Sequence, residues 1–191
     1  ALGWACWKTY LGRPEEDRIR RLATKVLENG FSDADHHEDA LSVQEAQLAM
    51  YRRLGASEVP MLVLQGNLAS SYARLGRLEE ALRLKRDVYS GYLKLLGDKD
   101  MLTLAAADNY ASSLNGLRRF EEAKTLLRRT LPVARRVLGD STDTTLRMRW
   151  LYAVALYDDD GALDDLREAV TTLEELERIA RRVLGDAHPN T

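Results

Sequence analysis

One dipeptide, Leu-Gly, recurs at nearly constant spacing and constrains the fold more than any other feature of the chain. In five of its occurrences, successive glycines are 43, 42, 42 and 46 residues apart. The glycines are Gly12, Gly55, Gly97, Gly139 and Gly185. Because a glycine after a helical run can adopt the left-handed conformation that caps the last carbonyls, each pair predicts a helix C-terminus. A step of about 42 residues accommodates two helices and two turns, which indicates a repeat architecture.

A second signature lies inside each repeat at the same spacing. Asn67-Leu68-Ala69 returns 42 residues later as Asn109-Tyr110-Ala111, and Glu79-Glu80-Ala81 returns as Glu121-Glu122-Ala123. In the last repeat Leu151-Tyr152-Ala153 takes the place of the first motif, and the turn before the second motif is longer. Apolar residues recur every three or four positions, as in amphipathic helices. The pattern predicts stacked helix pairs in which small alanines let neighbouring helices approach closely.

These motifs resemble the kinesin-light-chain-like tetratricopeptide (TPR) repeat family. That family has a 42-residue unit with an Asn-Leu-Ala motif on the first helix and a Gly-[Arg/Lys]-x-x-Glu-Ala turn, which residues 76–81 match. Its linker, Leu-Gly-x-x-His-Pro-x-Thr, is matched in full by residues 184–191. The resemblance covers residues 40–191 well and the first 40 loosely. HEAT or armadillo packing is the alternative for this spacing, but the turn motif favours the TPR fold.

We therefore predict an all-α chain, a right-handed α-solenoid of stacked antiparallel helix pairs of the TPR type. Helix pairs are expected near residues 14–29 with 36–54, 60–75 with 78–96, 101–116 with 119–138, and 143–158 with 162–184. The expected divisions are the end of a preceding repeat (1–12), a degenerate repeat (13–55), two repeats (56–97 and 98–139), a repeat with a lengthened turn (140–185), and the start of a truncated repeat (186–191).

Composition excludes several classes of partner. The formal net charge is −2, whereas a nucleic-acid-binding surface needs a basic excess. No stretch approaches eighteen apolar residues, so no membrane span is predicted. Cys6 is the only cysteine, which prevents an internal disulfide and gives no sign of an oxidising compartment. The default expectation is an intracellular, cytoplasmic protein.

The sequence offers no enzyme chemistry. It contains no Gly-rich phosphate loop and no Cys or His cluster at metal-binding spacing, so no catalytic residue, cofactor or metal is predicted. The adjacent histidines His36 and His37 point about 100° apart on a helix and are interpreted as part of a solvated turn. The acidic run at 158–160 lacks the glycine spacing of a calcium loop, and we interpret it as favourable charge before a helix N-terminus.

The resemblance implies a concave groove, lined by the first helix of each pair, that takes extended peptides. Asn67 and Asn109 are expected to bond a peptide backbone, or alternatively the next helix pair. Arg74 and Arg147 are expected to select acidic side chains, and Trp150 or Tyr157 to cover an apolar one. Carried over by position, the groove residues are Gly66, Asn67, Ser70, Arg74, Asp108, Asn109, Ser112, Asn115, Arg147, Trp150 and Tyr157.

The function predicted from these features is a protein–protein interaction scaffold or adaptor whose groove binds an extended peptide or a partner protein. The alternative is a structural helical-repeat subunit built permanently into a larger complex. One further feature bears on partners: residues 118–136 hold seven basic and two acidic residues, whereas residues 157–177 hold nine acidic and one basic. This asymmetry indicates either solvated helix faces or a polarised surface that orients a charged partner.

Overall fold

A computed structural model describes residues 37–157 and 162–184, and this part of the chain contains helices and no strand. Each helix begins and ends within two residues of its predicted bounds, which confirms the all-α prediction. The helix predicted at 14–29 and the segments 1–12 and 186–191 lie outside the described residues, and the repeat divisions remain predictions. The helices are α1 (His37–Arg53), α2 (Glu58–Arg74), α3 (Leu78–Leu96), α4 (Met101–Gly116), α5 (Phe120–Leu138), α6 (Asp143–Leu156) and α7 (Leu163–Leu184).

Two of the Leu-Gly pairs show how the repeat punctuation works. Gly97 follows α3 with φ of 86°, and Gly139 follows α5 with φ of 98°. Residues with a Cβ rarely adopt such positive values. The amide of Gly139 donates to the carbonyl of Arg135 at 3.2 Å, and that of Gly97 to Leu93 at 3.1 Å. The glycines therefore end these helices as predicted. Helix α5 contains Pro132 and is continuous through it.

The turn between α4 and α5 carries a residue with an unfavourable backbone conformation. Arg118 has φ of 58°, and the equivalent residue one repeat earlier is Gly76, with φ of 74°. Both turns close in the same way, because the amides of Gly76 and Arg118 donate to carbonyls three residues back, at 3.1 and 2.9 Å. The left-handed region costs a residue with a Cβ about 1–2 kcal/mol. Arg118 therefore adopts the same turn geometry as Gly76, and its backbone is locally strained.

Replacing Arg118 with Gly should relieve this strain. Since Arg118→Ala removes the guanidinium but keeps the Cβ, the Gly variant should exceed the Ala variant by about 1 kcal/mol in free energy of unfolding. Urea denaturation of the two variants measures the difference. Equal stability of the two would show that the turn carries no strain at this position.

The chain divides into two compact units, residues 1–88 and 89–191, and α3 runs from the first into the second. In the first unit α1 packs on α2 through Leu41, Leu48, Leu64 and Leu68, and Leu84 of α3 lies against this cluster. In the second unit α4, α5, α6 and α7 pack in sequence order. Fully buried side chains of this unit include Leu104, Leu114, Leu127, Met148 and Leu156.

The small alanines of the repeat motifs lie at the helix contacts. All seven are at most 2% exposed, as expected if backbones approach closely at these points. On the first helices of the pairs they are Ala69, Ala111 and Ala153, and on the second helices they are Ala40, Ala81, Ala123 and Ala169.

Charged side chains link α5 to α7 in the second unit. Lys124, only 5% exposed, donates from Nζ to Oδ2 of Asp165 at 2.8 Å and also pairs with Glu121. Arg128 reaches Asp165 at 3.3 Å and Glu168 at 3.5 Å. Hydrogen bonding to Lys124 lowers the pKa of the Asp165 carboxyl, and the same bond raises the pKa of Lys124. Some of the basic residues of 118–136 therefore form ion pairs with acidic residues of 157–177 within the molecule.

The hydroxyl of Tyr152 on α6 lies within the same network. It accepts from Nε of Arg128 at 2.9 Å and donates to Oε1 of Glu168 at 2.7 Å. Burial is the largest cause of the raised pKa of Tyr152, and the bond to Glu168 adds to it. Three successive helices are thus connected by one chain of polar contacts.

Asp165→Asn should lower the melting temperature at neutral pH because it removes the negative charge that faces Lys124 and Arg128. The folded pKa of Asp165 lies below its ordinary value of 3.8, so its stabilising contribution is complete above pH 3.8 and is lost as the pH falls through the folded pKa. The deficit of the variant should therefore shrink below about pH 4.

The matched control is Asp164→Asn, which removes a neighbouring carboxylate from the same first turn of α7. The Asp164 side chain is 92% exposed, so its pair with Arg167 contributes little. Thermal melts from pH 7 to pH 2 compare the variants. Equal deficits for both would mean that only the helix dipole, and not the link to α5, is affected.

Candidate functional site

The first helices of two pairs in the second unit, α4 and α6, pack on each other and expose one row of side chains each. Along α4 the exposed positions recur at helical spacing, and along α6 they continue to the residue after its end. Large apolar side chains on this surface include Leu102, which is 42% exposed, Trp150, 51%, and Tyr157, 71%. We name this surface the α4–α6 face; its residues are Leu102, Asn109, Ser112, Arg147, Trp150 and Tyr157.

Arg147 is held in place by two residues of α4. Its Nη2 atom donates to Oδ2 of Asp108 and, at 3.1 Å, to Oδ1 of Asn109. The Asp108 side chain is 1% exposed, whereas that of Arg147 is 56% exposed. The buried carboxylate therefore fixes the inner side of the guanidinium and offsets its charge, while the outer side faces solvent.

A second predicted site residue, Asn115, also connects α4 to α6. Its Nδ2 atom donates to the carbonyl of Leu151 at 2.8 Å, and the side chain is half-buried. A backbone carbonyl inside a helix has its own helical donor, so this bond is an additional link between helix pairs. For Asn109 and Asn115 the structure thus shows contacts to the next helix pair.

The predicted site residues of the second unit separate into two groups. Asp108 and Asn115 point into the contact between α4 and α6, where they bond to α6. The exposed group comprises Asn109, Ser112, Arg147, Trp150 and Tyr157.

In the first unit the predicted residues lie along α2. Asn67, Ser70 and Arg74 are exposed and share one side of the helix with Val63, which is 45% exposed. The Ser70 hydroxyl donates to the carbonyl of Gly66 at 3.2 Å. The exposure of Asn67, Ser70 and Arg74 agrees with a surface role for this row.

Two features of the site were not recognised in the sequence. Leu102 was missed although it lies seven residues before Asn109, a spacing that places both on one side of a helix. The partner of Asp108 was missed as well. An acidic residue within the apolar α4 indicates a buried carboxylate that needs a cation, but the sequence pattern does not identify which one.

In residues 37–157 and 162–184 no three His, Cys, Asp or Glu side chains are grouped so that they could hold a metal ion. None of the helices described there combines the length and apolar character needed to cross a membrane.

Comparison with protein families identifies the repeat. Residues 60–136 match the tetratricopeptide repeat family. This segment contains the two most regular repeats of the sequence and both Asn-x-Ala motifs. TPR folds generally mediate protein–protein interaction or scaffolding.

Solved structures with the same fold are TPR proteins of the kinesin-light-chain kind, so the predicted resemblance is confirmed. A Podosopora anserina protein with nearly identical, kinesin-light-chain TPR-like repeats superposes with a TM-score of 0.78 at 19% identity, covering 95% of this chain and 85% of that one. A single-substitution variant of that protein gives 0.79 at 19% identity, covering 96% and 85%. BtubC (BKLC) from P. vanneervenii gives 0.63 at 16% identity, covering 100% and 92%.

These structural likenesses establish the TPR fold of the chain. Between the described helices and those proteins the shared feature is architecture, since identity is below 20% in each case. No curated protein matches the sequence significantly. The chemistry of the α4–α6 face therefore has to be derived from its own residues.

Arg147→Met should destabilise the second unit, because Asp108 would then be a buried carboxylate without its cation. We expect a loss of about 2 kcal/mol in free energy of unfolding, less than for a fully buried pair because Arg147 is half exposed. Adding Asp108→Leu should recover most of the loss, since an apolar side chain needs no partner there. Urea denaturation of both variants measures this, and a double variant no more stable than Arg147→Met would contradict it.

Proposed function

We propose that the chain is a protein-interaction scaffold and that the α4–α6 face binds an extended segment of a partner protein. The observation that supports this most directly is the exposure of Trp150 and Tyr157 beside a fixed Arg147. Tryptophan, tyrosine and arginine are the residue types that dominate binding energy at protein interfaces. The TPR fold supports a protein partner in general.

The two helices are spaced suitably for an extended chain. Packed helices lie about 8–10 Å apart, and an extended chain rises about 3.3 Å per residue. A segment crossing from α4 to α6 would therefore place residues about three positions apart over Asn109 and over Trp150. Alternate side chains of such a segment would point toward the face.

Asn109 and Ser112 supply hydrogen bonds along this path. Since Oδ1 of Asn109 accepts from Arg147, the amide NH₂ of Asn109 is the part that can donate to a peptide carbonyl. The exposed hydroxyl of Ser112 lies one turn further along α4 and can donate or accept. These bonds hold a backbone without distinguishing its side chains.

Trp150 and Tyr157 are proposed to select an apolar side chain. They lie seven residues apart, about two helical turns, and so share one side of α6. Val154, half-buried between them, continues the apolar surface. Because Asp108 offsets the charge of Arg147, we assign Arg147 to positioning the segment through its outer donors. In the first unit Arg74 is the candidate for contact with an acidic side chain.

Trp150→Ala should weaken binding of peptides selected on the wild-type chain from a random peptide display library. Truncating a central aromatic contact costs about 1–3 kcal/mol, roughly a 5- to 150-fold loss of affinity. The matched control is Val137→Ala, which truncates a similarly exposed apolar residue on α5. Calorimetric titration, with a thermal melt to verify folding, gives the comparison.

The proposal fails if the selected peptides bind Trp150→Ala as tightly as the wild-type chain. A structural subunit of a larger assembly is the second candidate, and a different observation favours it. Helix α7 exposes Leu163, Val170 and Leu173, which gives an apolar surface separate from the α4–α6 face. If no peptide is selected, this second function is supported instead.

A further inference from the structure

A cavity of about 390 Å³ lies where the end of α3, the start of α4 and the middle of α5 meet. All of its lining residues belong to the second unit, and none belongs to the α4–α6 face. Leu93, Leu104 and Val133 form its apolar walls. A water molecule takes up about 30 Å³ in the liquid, so the space is large enough to hold a small organic molecule.

Two opposite charges line this cavity. Arg129 of α5 lines it beside the buried Tyr89, and its Nη2 atom donates to the Tyr89 hydroxyl at 2.9 Å. Asp98, in the loop that follows α3, lines it as well. Within residues 37–157 and 162–184 neither Arg129 nor Asp98 forms an ion pair, with each other or with another residue. A cavity with an unpaired cation and an unpaired anion is complementary to a molecule that carries both charges.

A buried hydroxyl on the cavity wall has no partner. Thr103 of α4 is 1% exposed, and in the described part of the chain its Oγ1 atom makes no hydrogen bond. Buried polar groups are nearly always hydrogen-bonded, because an unmade bond destabilises the folded chain. The unpartnered hydroxyl therefore favours a ligand that supplies a polar group at this point.

The equivalent threonine one repeat later has such a partner. Thr145 is also buried, but its hydroxyl accepts from that of Thr142 at 2.9 Å. The residue at the position of Thr142 is Asp100, whose carboxylate accepts from the Leu102 amide at 2.8 Å and so caps α4. Thr103 thus lacks the partner that the repeat supplies at Thr145.

The charges differ between the two repeats in the same way. Asp140 accepts from Nε of Arg135 at 2.6 Å. The corresponding residues one repeat earlier are Asp98 and Leu93, so the cavity has an apolar wall where the next repeat has the arginine. The later repeat therefore pairs these groups among its own residues, whereas the cavity leaves a carboxylate, a guanidinium and a hydroxyl for a ligand.

We propose that this cavity binds a free α-amino acid with an apolar side chain. Arg129 binds the carboxylate, as guanidinium groups do through parallel N–H donors, and Asp98 binds the ammonium group. The Thr103 hydroxyl adds a hydrogen bond, and the apolar side chain packs on Leu93 and Val133. A carboxylate without an ammonium group is repelled by Asp98, and an amine without a carboxylate is repelled by Arg129.

NMR titration of the nitrogen-labelled 191-residue chain with L-leucine and L-phenylalanine tests the proposal. At least one of the two should bind, and the backbone amides around Gly97, Thr103 and Arg129 should shift. The tighter of the two is then compared with its analogues, which lack the ammonium group (isocaproate, hydrocinnamate) or the carboxylate (isoamylamine, phenethylamine). Each analogue should bind about fivefold more weakly, because one charge pair is lost. No binding of either amino acid up to about 10 mM, or an analogue that binds as tightly as the amino acid, would overturn the proposal.

Thr103→Val tests whether the hydroxyl serves a ligand or the fold. Binding should weaken about three- to tenfold because one hydrogen bond is lost, and the melting temperature of the free chain should not fall, because that hydroxyl has no partner to lose. The matched control is Thr145→Val, which should lower the melting temperature and leave the affinity unchanged. Arg129→Met should weaken binding at least about tenfold, since the charged donor to the carboxylate is removed. Wild-type affinity in Thr103→Val or Arg129→Met, or equal losses of affinity in Thr103→Val and Thr145→Val, would assign the amino acid to another site.

Discussion

The close approach of helices at the small buried alanines is the constraint on which the described structure depends. A single helix pair has two apolar sides and cannot bury both, so it is stable only when a neighbour covers the outer one. Ala111 on α4 and Ala123 on α5 are 0% exposed, and so are the large side chains Leu114 and Leu127 on the same two helices, which pack on each other. A larger side chain at either alanine would separate the helices and open the core.

Polar contacts then decide how adjacent pairs are held in register. Apolar packing is tolerant of small shifts, whereas a hydrogen bond such as Asn115 to the Leu151 carbonyl has one geometry. The pairs Arg147–Asp108 and Lys124–Asp165 act in the same way on two sides of the second unit. Each joins a buried charged group to a more exposed one, so breaking it removes a partner of a group in the interior. The α4–α6 face is therefore built on contacts that also stabilise the fold.

Helix positions could be predicted from the sequence because they depend on local rules: glycine spacing, alanine spacing and apolar periodicity. The row Asn109, Ser112, Arg147 and Trp150, which is exposed in the structure, was carried over by position from the family resemblance. The partners of buried charged residues could not be predicted from the sequence. Lys124 occupies a position where the repeat one step earlier has Leu82, which shows that the site is buried, but its partner Asp165 lies 41 residues later on another helix. Such pairings depend on side-chain reach across helices, which periodicity does not encode.

Leu82, Lys124 and Val170 occupy the same position in successive repeats but differ in chemistry and burial. Leu82 is 4% exposed and contributes apolar burial. Lys124 is equally buried but needs a carboxylate, so it accepts only a neighbour that supplies one, as α7 does through Asp165. Val170 is apolar and needs no charged partner, and it is 56% exposed. The residue at this position therefore determines whether the packing it takes part in is generic or specific to one neighbouring helix.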